Sequence, residues 1–202
     1  VNALSLSVSS SVISFSCLGP VATLGIIQSE VAGMLSGHWV DHVNRNDYSG
    51  EWDVLPLRCK AEHLDAHPIL QGFSLESDGG WQNLPPLKNC PALGALIESL
   101  QCPVKAVRLM RLKGGAHIKP HRDIALGIDF GEARLHLPVF TSDQVGFWVD
   151  GKSVPMAAGE LWYINADQVH EVRNYGSSDR INLVIDCTAN EWLCRKIIQG
   201  AA

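Results

Sequence analysis

The stretch "RLHLPVF", residues 134–140, changes character at nearly every step. Successive side chains of a strand point to opposite faces. Leu135, Leu137 and Val139 therefore share one face, and Arg134 and His136 share the other. "RINLVID", residues 180–186, repeats the arrangement, with Ile181, Leu183 and Ile185 opposed by Arg180 and Asn182. In "HIKPHRD", residues 117–123, His121 and Asp123 lie two apart and project together if the segment is extended. Three strands thus present a polar face where a core would be apolar. Buried charge is costly unless paired or bound, so this interior calls for a ligand.

The surroundings fit a sheet protein. From Val104 onward, "VKAVRLMRL", "AHIKPHRD", "ARLHLPVFT", "VGFWVDGKSVPM", "ELWYINA", "HEVRNYG" and "RINLVIDCT" are short segments punctuated by Gly, Asp, Asn and Ser. Such spacing predicts an antiparallel sandwich or barrel. Ahead of them, Pro20 to Gly37 reads as a helix with Val21, Leu24, Ile27, Val31 and Leu35 on one face, and Pro91 to Leu100 as a second. Residues 38–90, rich in Trp, His, Asn, Gly and Pro, read as loops with short strands, and the alternating residues 4–20 as a strand. "NEWLCRKIIQG" closes the chain as a helix. The expected fold class is mostly β with flanking helices, built on a jelly-roll core. One domain is expected over 1–202, with a helix- and loop-rich front region (residues 1–103), a jelly-roll core (104–188) and a C-terminal helix (189–200).

Composition excludes several classes. The chain of 202 residues is 46% hydrophobic and carries a formal charge of -5, with Lys and Arg scattered, so nothing marks a nucleic-acid partner. No run reaches the 18 apolar residues of a membrane span. Six cysteines form no CxxC pair, and a chain with its own core needs no disulfide staple. Reduced, mostly buried thiols in a cytoplasmic protein are the expectation.

Two histidines and one carboxylate beside open coordination positions make the ligand set of non-haem Fe(II) oxygenases. His121, Asp123 and His170 are the candidates. A chelating dicarboxylate would also need guanidinium anchors, which Arg134 and Arg180 can supply through paired hydrogen bonds. Each piece alone is weak. HxD arises by chance, and a lone histidine is more often a surface or core residue. The order HxD, RxH, His, Arg in a strand-rich context is what carries the reading. His38, His63 and His67 read as surface or packing residues, and Trp52, Trp148 and Trp162 as core or pocket wall. His117 shares the face of His121 if no bulge intervenes. Arg58 reads either as a substrate-carboxylate anchor or as an ordinary structural ion pair.

These residues, with "HVNRNDYSGEWDVLPLR", "MAAGELWYINADQVHEVRNYGSSDRINLVIDC" and "NEWL", give a chain that resembles the aspartyl/asparaginyl β-hydroxylase family of Fe(II)/2-oxoglutarate dioxygenases. The likeness runs from about Trp39 to Leu193 and is greatest to small bacterial proline-hydroxylase-like members. It implies a double-stranded β-helix, cupin-like core, iron held by His121, Asp123 and His170, and O2 as co-reactant. It implies Arg180 on the distal carboxylate of 2-oxoglutarate, with Arg134 and His136 near the carboxylate at the metal. The substrate implied is an amino acid or a peptidyl residue, with proline as one candidate. Vertebrate-type aspartyl hydroxylases lack the metal-binding carboxylate, and carry an arginine where this chain has Glu132, so an aspartyl substrate is not indicated. Two other readings stay open: a non-catalytic metal-binding jelly-roll sensor or small-molecule binding module, and a zinc-dependent hydrolase or isomerase.

Overall fold

A computed structural model describes residues 12–71 and 80–201. In chain order the elements are β1 (Phe15–Pro20), α1 (Leu24–Met34), β2 (Val40–Asp41), β3 (Tyr48–Ser49), β4 (Trp52–Lys60), α2 (Pro68–Gln71), β5 (Trp81–Asn83), α3 (Pro85–Lys88) and α4 (Pro91–Glu98). They continue as β6 (Val104–Leu112), β7 (His117–His121), β8 (Glu132–Phe140), β9 (Val145–Val149), β10 (Lys152–Ser153), β11 (Glu160–Ile164), β12 (His170–Asn174), β13 (Arg180–Thr188) and α5 (Glu191–Gly200). The portion of the expected N-terminal strand before residue 12 lies outside the described residues.

Two antiparallel sheets result. The larger has the order β1-β11-β8-β13-β6-β4-β2, with β5 on β4, and the smaller runs β10-β9-β12-β7-β3. From β6 to β13 the chain passes back and forth between them, so strands adjacent in sequence mostly face each other across the interior. This is a mixed β/α fold of cupin-like type.

The outer face of the large sheet is covered by helices. Leu135, Leu137, Ile181, Leu183 and Ile185 are fully buried with Ile27 and Val31 of α1, Leu93 and Ile97 of α4, and Leu193 and Ile197 of α5. Helix ends are closed locally. Asn190 accepts the backbone N–H of Leu193 at 3.0 Å to start α5. Glu30 of α1 accepts from Ala92 and Leu93, at 2.8 and 3.0 Å, supplying the N-terminus of α4 with an anion. No helix among the described residues is long and apolar enough to cross a membrane. All six cysteines are free, four of them buried.

Three expectations are corrected. The first helix begins at Leu24 rather than Pro20, because Val21 still donates to Gly159 as β1 ends. Met34 rather than Leu35 closes its packed face, and Leu35 is exposed. The front region is also less loop-like than its composition suggests. It supplies β4, a nine-residue strand paired along β6 and almost wholly buried. Pro56 is tolerated there because the register shifts between Pro56 and Arg58, and an irregular pair needs no regular N–H.

Candidate metal centre

The site lies between the sheets. His121 ends β7 and His170 begins β12, and the two are direct cross-strand partners. Their ring centroids are 4.2 Å apart. Both rings are oriented alike: Nδ1 of His121 meets the carbonyl of Lys119 at 2.8 Å, and Nδ1 of His170 meets that of Gln168 at 3.0 Å. A carbonyl only accepts, so each Nδ1 carries a proton, and Nε2 is the nitrogen that bears the lone pair in the neutral ring. Burial, then the neighbouring His121, pull His170 down to about pKa 4, so its imidazole is neutral at physiological pH.

Asp123 reaches the same place by a turn rather than along the strand, which ends at His121. Its N–H donates to Ala166 at 2.9 Å. The turn is pinned by Asp167, which accepts from Ala125 N–H at 2.7 Å and from Arg122 at 2.8 Å. One ligand atom from each of His121, Asp123 and His170 lies within 4.8 Å of the others. That spacing and donor set suit a divalent first-row metal held on one side only.

A cavity of about 170 Å³ opens over this group. β8 and β13 turn Arg134, His136, Arg180 and Asn182 into it, on the faces opposite their apolar rows. Asn182 Nδ2 lies 3.0 Å from His136 Nδ1. Burial, then Arg180 and Arg134, hold His136 well below its ordinary pKa, so it is a neutral ring. Arg180 is 5% exposed, sits over the Phe147 ring at 5.8 Å, and leaves Nη2 buried without a partner among the described residues. Burial alone lowers it to about pKa 10, and it remains a cation. Arg134 is engaged differently. Its Nε and Nη2 donate to Asp186 at 2.7 and 3.2 Å, and its Nη1 donates to Asp123 Oδ2. Burial would raise the Asp123 pKa, but Arg134 and the two histidines outweigh it and keep the carboxyl below the usual range.

Not every candidate lies here. Arg58 is outside the cavity lining and donates to Asn83 on β5 at 2.6 Å, a hydrogen bond rather than an ion pair. His117 is turned away, because the β7–β12 register slips between His170 and Val172 and a bulge falls at Lys119–Pro120. Its Nε2 meets Glu171 instead, at 3.0 Å. Glu132 pairs with Lys105. Conversely, Arg108, Met110, His42, Asn44 and Asp47 line the cavity although the sequence did not mark them as site residues. Arg108 was legible, since Val107 and Leu109 flank it as an apolar row. His42, Asn44 and Asp47 come from a segment with no period to read. His42 stacks on Trp52 at 3.6 Å, and burial followed by Arg108 lowers it to about pKa 4.

The fold is cupin-like, and its donor set is one that could hold a metal ion. A profile of the aspartyl/asparaginyl beta-hydroxylase family matches residues 23–190, and the chain belongs to that family. It is 32% identical over 147 residues to the L-proline cis-4-hydroxylase of Rhizobium meliloti (strain 1021), a match covering 69% of this chain and 49% of that protein. The chain thus spans about half the length of the curated relative it matches. Among solved structures it is similar in fold to a prolyl hydroxylase from Trichoplax adhaerens in complex with a hypoxia inducible factor peptide fragment. That likeness has a TM-score of 0.56 and 12% identity, over 91% of this chain and 87% of that one. A 2OG-Fe(II) oxygenase family oxidoreductase from Burkholderia pseudomallei gives 0.51 and 14%, over 79% and 78%.

Proposed function

We propose that the protein is an Fe(II)/2-oxoglutarate-dependent dioxygenase that hydroxylates an amino acid or an amino-acid residue. One observation carries this reading: a His-Asp-His cluster and an unpartnered buried guanidinium share one cavity. The strand order supports describing the two sheets as a double-stranded β-helix, and 1–202 as one dioxygenase domain. His121 and His170 would hold iron through Nε2 and Asp123 through a carboxylate oxygen. Bound iron supplies the activation of O2, coupled to conversion of 2-oxoglutarate into succinate and CO2.

The chain's own role is binding and orientation. Arg180 would grip the distal carboxylate of 2-oxoglutarate with its fork, satisfying the orphaned Nη2. If Asn182 donates to His136 Nδ1, the ring's proton sits on Nε2, available to a carboxylate oxygen. Arg134, already engaged by two carboxylates, adds charge there rather than a free fork. The interior holds three guanidiniums, of Arg108, Arg134 and Arg180, against the carboxylates of Asp123 and Asp186. Asp47 also lines the cavity, so with divalent iron and dianionic 2-oxoglutarate the charges are even. A zwitterionic amino acid would keep that balance, with its carboxylate beside Arg108 and its ammonium beside Asp47.

The test is succinate formation from 2-oxoglutarate with Fe(II) and, separately, with Zn(II), across free amino acids including proline and short peptides. Iron-dependent turnover stimulated by one of them, and lost in His121→Ala and His170→Ala, is the expected result. Metal binding without turnover would favour the sensor reading, and succinate formed equally with zinc would overturn the iron-dependent one.

A further inference from the structure

Asp186 is a carboxylate beside the cavity that has no place in the ligand set above. It is 1% exposed and sits on β13 directly opposite Arg134 on β8. Its Oδ1 accepts from Arg134 Nε at 2.7 Å, and its Oδ2 accepts from Arg134 Nη2 at 3.2 Å and from Arg108 Nη1 at 2.8 Å. A guanidinium is planar and rigid. Holding Nε and Nη2 therefore fixes the direction of Nη1, which donates to Asp123 Oδ2. The Asp123 carboxylate is thus held in one orientation, with a ligand atom near those of His121 and His170.

We infer that Asp186, acting through Arg134, orients the Asp123 carboxylate towards the space shared with His121 and His170 and so fixes the third donor of the metal site. Asp186 and Arg134 are positioning residues in this account. It rests on the metal-site reading above and adds to it a role for two residues that need not touch the ion.

The sign of one substitution separates positioning from mere charge. Arg134 is a cation beside a divalent ion, so by Coulomb repulsion alone its neutralisation should tighten metal binding. Positioning requires the opposite. Mn(II) binding, followed by loss of the free-ion EPR signal, would be compared in the wild type, Asp186→Asn, Arg134→Gln and Arg134→Lys. The thermal midpoint of each metal-free protein would be recorded alongside. Loss of a partner that orients a ligand typically weakens metal binding about 10–100-fold. All three variants should therefore bind Mn(II) at least about tenfold more weakly, Arg134→Gln included. If buried Asn at 186 prevents folding, Arg134→Lys decides alone, since it keeps the charge and loses the fork. Wild-type affinity in Arg134→Lys, or unchanged or tighter binding in Arg134→Gln, overturns the inference. A wild type that binds no Mn(II), or binds it as well after His170→Ala, overturns the metal-site reading and this inference together.

Discussion

Along β13 a single step of the chain separates two kinds of interior. Leu183 is wholly buried among the aliphatic side chains under the helices. Asn182, its neighbour, is equally hidden at 1% exposure, yet faces a cavity lined by arginine, histidine and aspartate. Burial is the same on the two faces, and its justification differs. The outer face is satisfied by contact, which any well-shaped apolar residue can provide. The inner face is satisfied by pairing, and the pairing is incomplete: Arg180 Nη2 and Asn182 Oδ1 have no partner among the described residues. Leaving such atoms without a partner costs about 1–3 kcal/mol each, so they are the groups a bound molecule would satisfy.

The sharpest way to break the comparison is to damage one face and read the other. Leu183→Ala should cost about 2–5 kcal/mol of stability, seen as a lower denaturant midpoint, because the packed layer cannot close over the space. Metal binding by the protein that stays folded should be unchanged. A comparable loss of metal affinity would mean that the faces are mechanically coupled through the strand.

Arg180 tests the inner face. Arg180→Lys keeps a cation and loses the fork, so 2-oxoglutarate binding should weaken by roughly 1.5–3 kcal/mol, the worth of one charge-assisted bond. Arg180→Met should be worse for the cosubstrate. Stability should hold or rise in Arg180→Met, because a buried cation without a partner is removed. Isothermal titration with 2-oxoglutarate in the presence of Mn(II) reads the first effect and thermal melting the second. Unchanged affinity in both variants would remove Arg180 as the anchor.

The smallest expected effect is at the cavity's edge. His42 has its pKa lowered from 6.5 to about 4 in the folded chain, first by burial and then by Arg108. The unfolded state therefore takes up a proton that the folded state refuses between these values. Stability from neutral His42 is complete above about pH 6.5 and is lost as pH falls towards 4. The loss should be roughly 1–2 kcal/mol, below the full value of the shift because the ring is partly exposed. His42→Gln should flatten the stability profile over that window, measured as urea midpoints at constant ionic strength. An unaltered slope would show that other groups produce it.

What the sequence revealed follows the same division. Strict alternation in 134–140 and 180–186 made both faces readable, because a strand fixes side-chain direction with a period of two. The same period reaches Asp186, on the face of Arg180 and Asn182, although its cross-strand partner Arg134 appears only once register is known. Where the period broke, reading failed. Pro120 introduces a bulge that removes His117 from the face of His121. Pro56 sits inside a strand whose composition suggests a loop. His42, Asn44 and Asp47 belong to a segment held by tertiary contacts, such as Lys119 Nζ donating to the Asn46 carbonyl at 2.9 Å. No local pattern announces such contacts.

That last segment offers a handle for engineering. The triad, Arg134 and Arg180 come from strands β7, β8, β12 and β13 and the turn after β7, whereas His42, Asn44 and Asp47 come from chain that precedes all of them. Randomising residues 42–47 would vary what the cavity accepts while leaving the proposed iron ligands in place, which makes this short stretch the natural target for redirecting the protein in the laboratory.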